Sequence, residues 1–194
     1  MRHWLLLLPL CFAVQAQTQA PNPSRPAPPV ARDRGQPLLD QLLAALHAAP
    51  DQEVAGLLET QIEHLWLEAG SPAVGLLMMR GMREMSAGAP ADAEADFDAA
   101  IALDPANGEA WHRRAIARFE AGDTPGAIAD IGEVLQREPR QFSALDTLAR
   151  LSAAREDWKG AYAAWRKKLE IDPKTPGGEE KLKDLRRRAL GDDT

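Results

Sequence analysis

Large apolar side chains recur along this chain at helical rather than strand spacing. Leu38, Leu39, Leu42, Leu43 and Leu46 share one face of a helix, and after Pro50-Asp51 the pattern returns at Val54, Leu57, Leu58, Ile62, Leu65 and Trp66. From residue 74 onward a second regularity lies over the first. Pro105, Pro139 and Pro173 are equally spaced, within Leu103-Asp104-Pro105, Arg137-Glu138-Pro139 and Ile171-Asp172-Pro173. Other residue types superpose at the same period. Small residues do so at Gly81, Ala115 and Ala149 and again at Ala93, Ala127 and Ala161; large apolar residues do so at Leu77, Trp111 and Leu145 and again at Phe97, Ile131 and Trp165.

The pattern predicts a helical hairpin repeated three times. Two helices cross closely only where side chains are small, and the bulky residues then fill the gap to the next hairpin. Turn residues fall between the halves, at Gly88-Ala89-Pro90, Gly122-Asp123-Thr124-Pro125 and Glu156-Asp157-Trp158. Proline ends each unit because it cannot continue the second helix. Ser71-Pro72 and Thr124-Pro125 each read as an N-cap followed by proline in the first turn. The helix expected over 179–190, with Leu182, Leu185 and Ala189 on one face, serves as a polar-backed lid on the last hairpin.

In its length and its order of large, small, small, large and proline the repeating unit resembles the tetratricopeptide repeat. The resemblance covers 74–107, 108–141 and 142–175, with 38–70 as a divergent hairpin before them and 179–190 as the capping helix, so that 38–190 forms one domain. It departs from the family where the first helix usually carries an aromatic, here Glu84, Arg118 and Ser152, and at Lys168 in a position usually small. The fold it implies is all-α, a right-handed superhelical solenoid of antiparallel helix hairpins. The function it implies is a non-enzymatic adaptor or scaffold that holds a partner peptide or helix in a concave groove lined by the first helix of each hairpin. Met78, Met82 and Met85, then His112, Arg113 and Ile116, then Asp146 and Arg150 are the groove residues by that correspondence. Some members grip a peptide carboxylate with Lys, Arg and Asn from these faces, and here only Arg113 and Arg150 resemble such a clamp.

Composition agrees with helices: 35 alanines stand against 5 valines, 6 isoleucines and 6 threonines. The N-terminus is different in kind. Met1-Arg2-His3-Trp4 precedes an apolar run from Leu5 to Val14, and Gln15-Ala16 offers a cleavage site, so 1–16 reads as an export signal. The run is half the roughly 20 residues a bilayer span needs, which leaves no membrane span after cleavage. Cys11 follows Leu10, where lipoprotein processing resembles a demand for a small residue; once it leaves with the signal, the chain has no thiol. Residues 17–37 hold six prolines and read as a disordered spacer. The expected location is therefore outside the cytoplasm, in the periplasm or secreted.

Catalytic chemistry finds no foothold: there is no Gly-rich phosphate loop and no Gly-x-Ser-x-Gly. His47, His64 and His112 lie too far apart for a local metal site, and no cofactor is expected. Asp92, Glu94, Asp96 and Asp98 read as a solvated helix start favoured by the helix dipole. A net charge of −6 and a balanced 179–194 segment argue against nucleic acid, despite Arg186-Arg187-Arg188. Met78, Met79, Met82 and Met85 leave three readings open: core packing, a deformable surface for apolar peptides, or thioether binding of Cu(I) in a periplasmic copper-handling protein. A structural subunit that packs against its own copy is a further alternative.

Overall fold

The computed structural model describes residues 31–191. They form nine helices and no strand: α1 (Ala31–His47), α2 (Gln52–Leu67), α3 (Pro72–Ser86), α4 (Pro90–Leu103), α5 (Gly108–Glu120), α6 (Thr124–Arg137), α7 (Phe142–Ala154), α8 (Trp158–Ile171) and α9 (Gly178–Leu190). The export signal and residues 17–30 of the spacer lie outside the described residues. The spacer's expected end at 37 is corrected, since α1 begins at Ala31 and carries Pro37 within it. Burial of Leu39, Leu43 and Leu46 holds that helix together across the hydrogen bond that proline removes.

Local signals fix the helix starts. Side chains of Asp51, Ser71, Asn107, Asp123 and Asp157 accept from backbone N–H groups three positions on, which satisfies donors that no helical carbonyl reaches. The α6 cap is Asp123, at 3.0 Å from the Gly126 N–H, one residue before the Thr124 expected from sequence. The turns inside the hairpins need a left-handed residue at one recurrent place. Gly88 and Gly122 supply it with φ of 76° and 91°, and the third hairpin uses Glu156 at φ 60°.

Helices α3 and α4, α5 and α6, and α7 and α8 pair as antiparallel hairpins and stack in chain order. The small positions sit at the crossings. A Cβ added to Gly81 would stand 2.6 Å from Phe97 Cε1, while Ala93, Ala115, Ala127, Ala149 and Ala161 are all buried at equivalent places. The stack is tighter along α3, α5 and α7, which touch in succession, so these form its inner wall. Helix α9 closes the end: Leu185 is buried against Trp165, whose Nε1–H donates to the Gly178 carbonyl at 2.9 Å.

An ion-pair ladder also follows the repeat. Arg80 in α3 pairs through two nitrogens with Asp96 in α4, and one repeat later Arg114 donates to Asp130 from Nε at 2.9 Å and from Nη2 at 2.7 Å. Arg118 reaches Glu94 at 2.7 Å, and Arg114 reaches Asp98 at 2.5 Å. Asp92 stays exposed in the first turn, as expected of a solvated helix start, but Glu94, Asp96 and Asp98 are taken up by arginines. Asp96 is 2% exposed, and its neighbours bridge to the next hairpin. A buried carboxylate is retained only with such partners. The third hairpin has Leu148 and Ala164 at the corresponding places and no ion pair there.

The α1–α2 hairpin does not extend the stack as a preceding repeat. It folds back, with α2 against α5 and α1 against α8.

Candidate inner-face binding site

The inner face begins where α5 and α7 start and α8 ends. Two loop residues there, Asn107 and Gln141, stand one repeat apart, each two positions after a repeat proline, and both side chains are buried. Gln141 Nε2 donates to Glu109 Oε2 at 2.8 Å, and Arg113 Nε donates to Glu109 Oε1 at 2.6 Å. His112 completes the group, with Nε2 3.0 Å from Thr147 Oγ1 and Nδ1 3.4 Å from Glu109. Burial opposes ionisation of Glu109, but hydrogen bonds and charge from His112 and Arg113 outweigh it and hold the carboxyl below its ordinary range.

Helix α2 lies across this edge. Asn107 Nδ2 donates to the Ala69 carbonyl at 2.5 Å, and Trp66 packs on Phe142 with ring centroids 5.3 Å apart. Arg140 bridges to Asp40 in α1 at 2.8 Å, and His47 Nδ1 lies 3.0 Å from the Glu170 carbonyl. Glu63 feels the charges of Glu109, Arg113, His112 and Lys168, which places it over the polar group of α5. The inner face thus already seats a helix, held by one aromatic pair and a set of charges, with one main-chain contact at Ala69 just beyond the helix end.

The residues expected to line the groove separate into three groups. Met78 is 1% exposed, packed with Val74, Phe97 and Ala110; it is core, because the α3–α4 crossing closes over it. Met82 and Met85 are half-buried against the same cluster, and Met79 is exposed. His112 is buried in the α5–α7 contact, and Arg113 is engaged by Glu109 through Nε while its side chain stays partly exposed. Asp146 is taken up by Lys181 of α9 at 3.4 Å. Ile116 is half-buried, while Arg150 is exposed and has no ion-pair partner among the described residues. Asn107, Gln141 and Phe142 were not foreseen, although the period that carries the prolines also carries the first two. Of the basic run near the C-terminus, Arg187 and Arg188 both pair with Asp184, and Arg188 lies 4.8 Å above Trp158.

Among the described residues no group of three or more His, Cys, Asp or Glu is placed to hold a metal ion, and no helix is long and apolar enough to cross a membrane. No protein-family profile matches the chain. A tetratricopeptide repeat-containing protein of Rhizobium etli is 31% identical over 156 residues, covering 80% of this chain and 76% of its own. Part of a tetratricopeptide repeat and J domain-containing co-chaperone of Fusarium oxysporum is 36% identical over 92 residues, 47% of this chain and 18% of that protein. Among solved structures, the first such domain of Spaghetti (RPAP3), bound to the HSP90 peptide SRMEEVD, superposes with a TM-score of 0.58 at 18% identity, covering 61% of this chain and 94% of that one. The MamA protein superposes with a TM-score of 0.57 at 17% identity, over 82% of this chain and 85% of its own. At these identities the likeness is one of fold.

Proposed function

The chain belongs to the tetratricopeptide repeat-containing proteins, and from that premise we propose that it is a non-enzymatic adaptor that binds a polypeptide segment of a partner on its inner face. The observation that carries the reading is the seating of α2. Phe142 receives an aromatic ring of α2, the charged group around Glu109 faces the acidic side of the helix, and the side-chain amide of Asn107 holds the main-chain carbonyl of Ala69 in the connection that follows it. Main-chain contacts give affinity without regard to sequence, whereas pockets and charges give specificity. The structural neighbour that carries a peptide supports the same reading. Beyond the hairpin the inner face continues over the half-buried Met82 and Ile116 and the exposed Arg150, which suit an apolar anchor and an acidic group of a partner.

The place of action in this reading is the cell envelope, with the chain exported on residues 1–16 and set off from its N-terminus by the Pro-rich stretch; the sequence of the first 30 residues supports it. Photocrosslinking in cells tests the function. A photoreactive side chain at Ile116 or Arg150 should capture a polypeptide, and the same group at Ala129 on α6 should not. Capture from Ala129 alone would move the interface to the outer wall and defeat the reading.

A further inference from the structure

The hairpin that covers the inner face is attached to it lightly. Seven of the eight buried residues in its core (Leu39, Leu43, Leu46, Ala49, Ala55, Ile62 and Trp66) belong to the hairpin itself, and only Phe142 comes from the repeats. Such a unit keeps most of its apolar contacts when it swings away. The fit beneath it is incomplete: a cavity of about 460 Å³ lies between hairpin and repeats, with Leu39, Trp66, Asn107, Arg137 and Gln141 in its walls. Trp66 Nε1 is buried with no hydrogen-bond partner. Gly70, at φ 128°, sits in the short connection to α3 where a swing would pivot.

One contact is chemically unlike the others. Asp172, fully buried at the C-cap of α8, accepts from Thr175 Oγ1 through Oδ2, whereas Oδ1 is buried and meets no donor. The carboxyl of Glu59, from α2, lies beside it. Two neighbouring carboxylates repel, but one carboxyl that keeps its proton donates an O–H to the other. A protonated Glu59 can thus donate to the Asp172 carboxylate, which has an oxygen without a donor, and join α2 to the end of α8.

We infer that the α1–α2 hairpin is a displaceable occupant of the inner face, latched by a proton shared between Glu59 and Asp172 and released when that proton passes to water. The inference rests on the reading that the inner face binds polypeptide. The groups facing Glu59 are Asp172 and Lys168 from α8 and its C-cap, and Glu63 from α2 itself. Burial first, then the hydrogen bond and charge of Asp172, push the Glu59 carboxyl up from its ordinary 4.5 to about 7, against the opposing charge of Lys168. Burial and the nearby Glu109 raise Glu63 as well. The closed form therefore holds the proton more tightly than the open one, so closure is favoured below pH 4.5 and loses ground as pH rises from 4.5 to about 7. A shift of that size corresponds to a few-hundredfold change in the closing equilibrium, and partial solvent exposure of Glu59 reduces it to roughly ten- to thirtyfold.

Two measurements on the full chain test this. The first is amide hydrogen exchange at pH 5.5 and 8.0, corrected for the intrinsic pH dependence of exchange. Protection of α1 and α2 should fall by about two- to fourfold at the higher pH while α5 to α8 hold. Glu59→Gln, which keeps a donor for Asp172 and has no proton to lose, should abolish the difference. The second titrates a labelled synthetic hairpin of residues 31–69 bearing Glu59→Gln against the wild-type chain, which should bind it about two- to fourfold more tightly at pH 8.0 than at pH 5.5. Equal protection at both pH values, or the same fall in the Glu59→Gln chain, overturns the latch whatever the peptide does. Opening at pH 8.0 with no binding of the added hairpin overturns the inner face as a polypeptide site and leaves the latch standing.

Discussion

Gly81 offers a test of how closely the first hairpin is packed, because two known effects act on Gly81→Ala with opposite signs. In an exposed helix interior the exchange gains about 1 kcal/mol from helix propensity. At the α3–α4 crossing the new methyl would stand 2.6, 2.8 and 3.1 Å from Phe97 Cε1, Cζ and Cδ1. Phe97 is fully buried and packed among Val74, Met78, Ala93 and Ala100, so the ring cannot yield without moving the helix that carries it. Overpacking of this kind costs about 1–3 kcal/mol, and the larger figures apply where nothing gives way. The expected net result is destabilisation by about 1–2 kcal/mol, or a fall of roughly 3–6 °C in Tm for a domain of this size. Gly132 in α6 serves as the control: a Cβ there meets nothing within 4 Å, and Gly132→Ala should stabilise by up to about 1 kcal/mol. Urea unfolding followed by circular dichroism at the helix band, with tryptophan fluorescence as a second probe, measures both. Adding Phe97→Leu to Gly81→Ala should recover part of the loss. If Gly81→Ala stabilises the protein as Gly132→Ala does, the crossing is not as close as described, and the account of the small residues fails with it.

Other parts of the structure give further expectations. Glu156→Gly removes a left-handed strain of about 1–2 kcal/mol against a glycine entropy cost of about 0.5–1 kcal/mol, so thermal unfolding should show a gain of about 0.5–1 kcal/mol. Arg80→Ala leaves the buried carboxylate of Asp96 without its guanidinium and should cost about 2–3 kcal/mol in urea unfolding. Arg80→Leu with Asp96→Ala copies the Leu148 and Ala164 of the third hairpin and should cost less than the single change, which would separate an unpaired charge from lost packing. Asn107→Ala removes both the cap of α5 and the grip on Ala69, so exchange of α2 should quicken more than exchange of α7. Equal quickening throughout would place its effect in the cap alone.

The repeated unit was legible in the chain before any contact was known. A fixed period is local information: each hairpin supplies its own small crossing residues, cap and terminal proline, and these act at whatever place in space the hairpin occupies. Met78, Met82 and Met85 show where that information stops. All three share a helix, but only the depth of the α3–α4 crossing makes Met78 core and leaves Met82 and Met85 at its margin. The acidic run of α4 shows the same limit, since Asp96 looks solvated until Arg80 arrives from the helix beside it, as Arg114 does for Asp130 one repeat later. That pairing was written in the chain at the repeat period, as were Asn107 and Gln141, and needed only to be read alongside the apolar residues. The seat of the α1–α2 hairpin was not written there. Its helices are amphipathic, which fixes that they must cover something; whether they extend the stack or fold across the inner face depends on contacts from Asn107, Arg140, Phe142 and Asp172, far away in sequence and brought together only by the curvature of the stack.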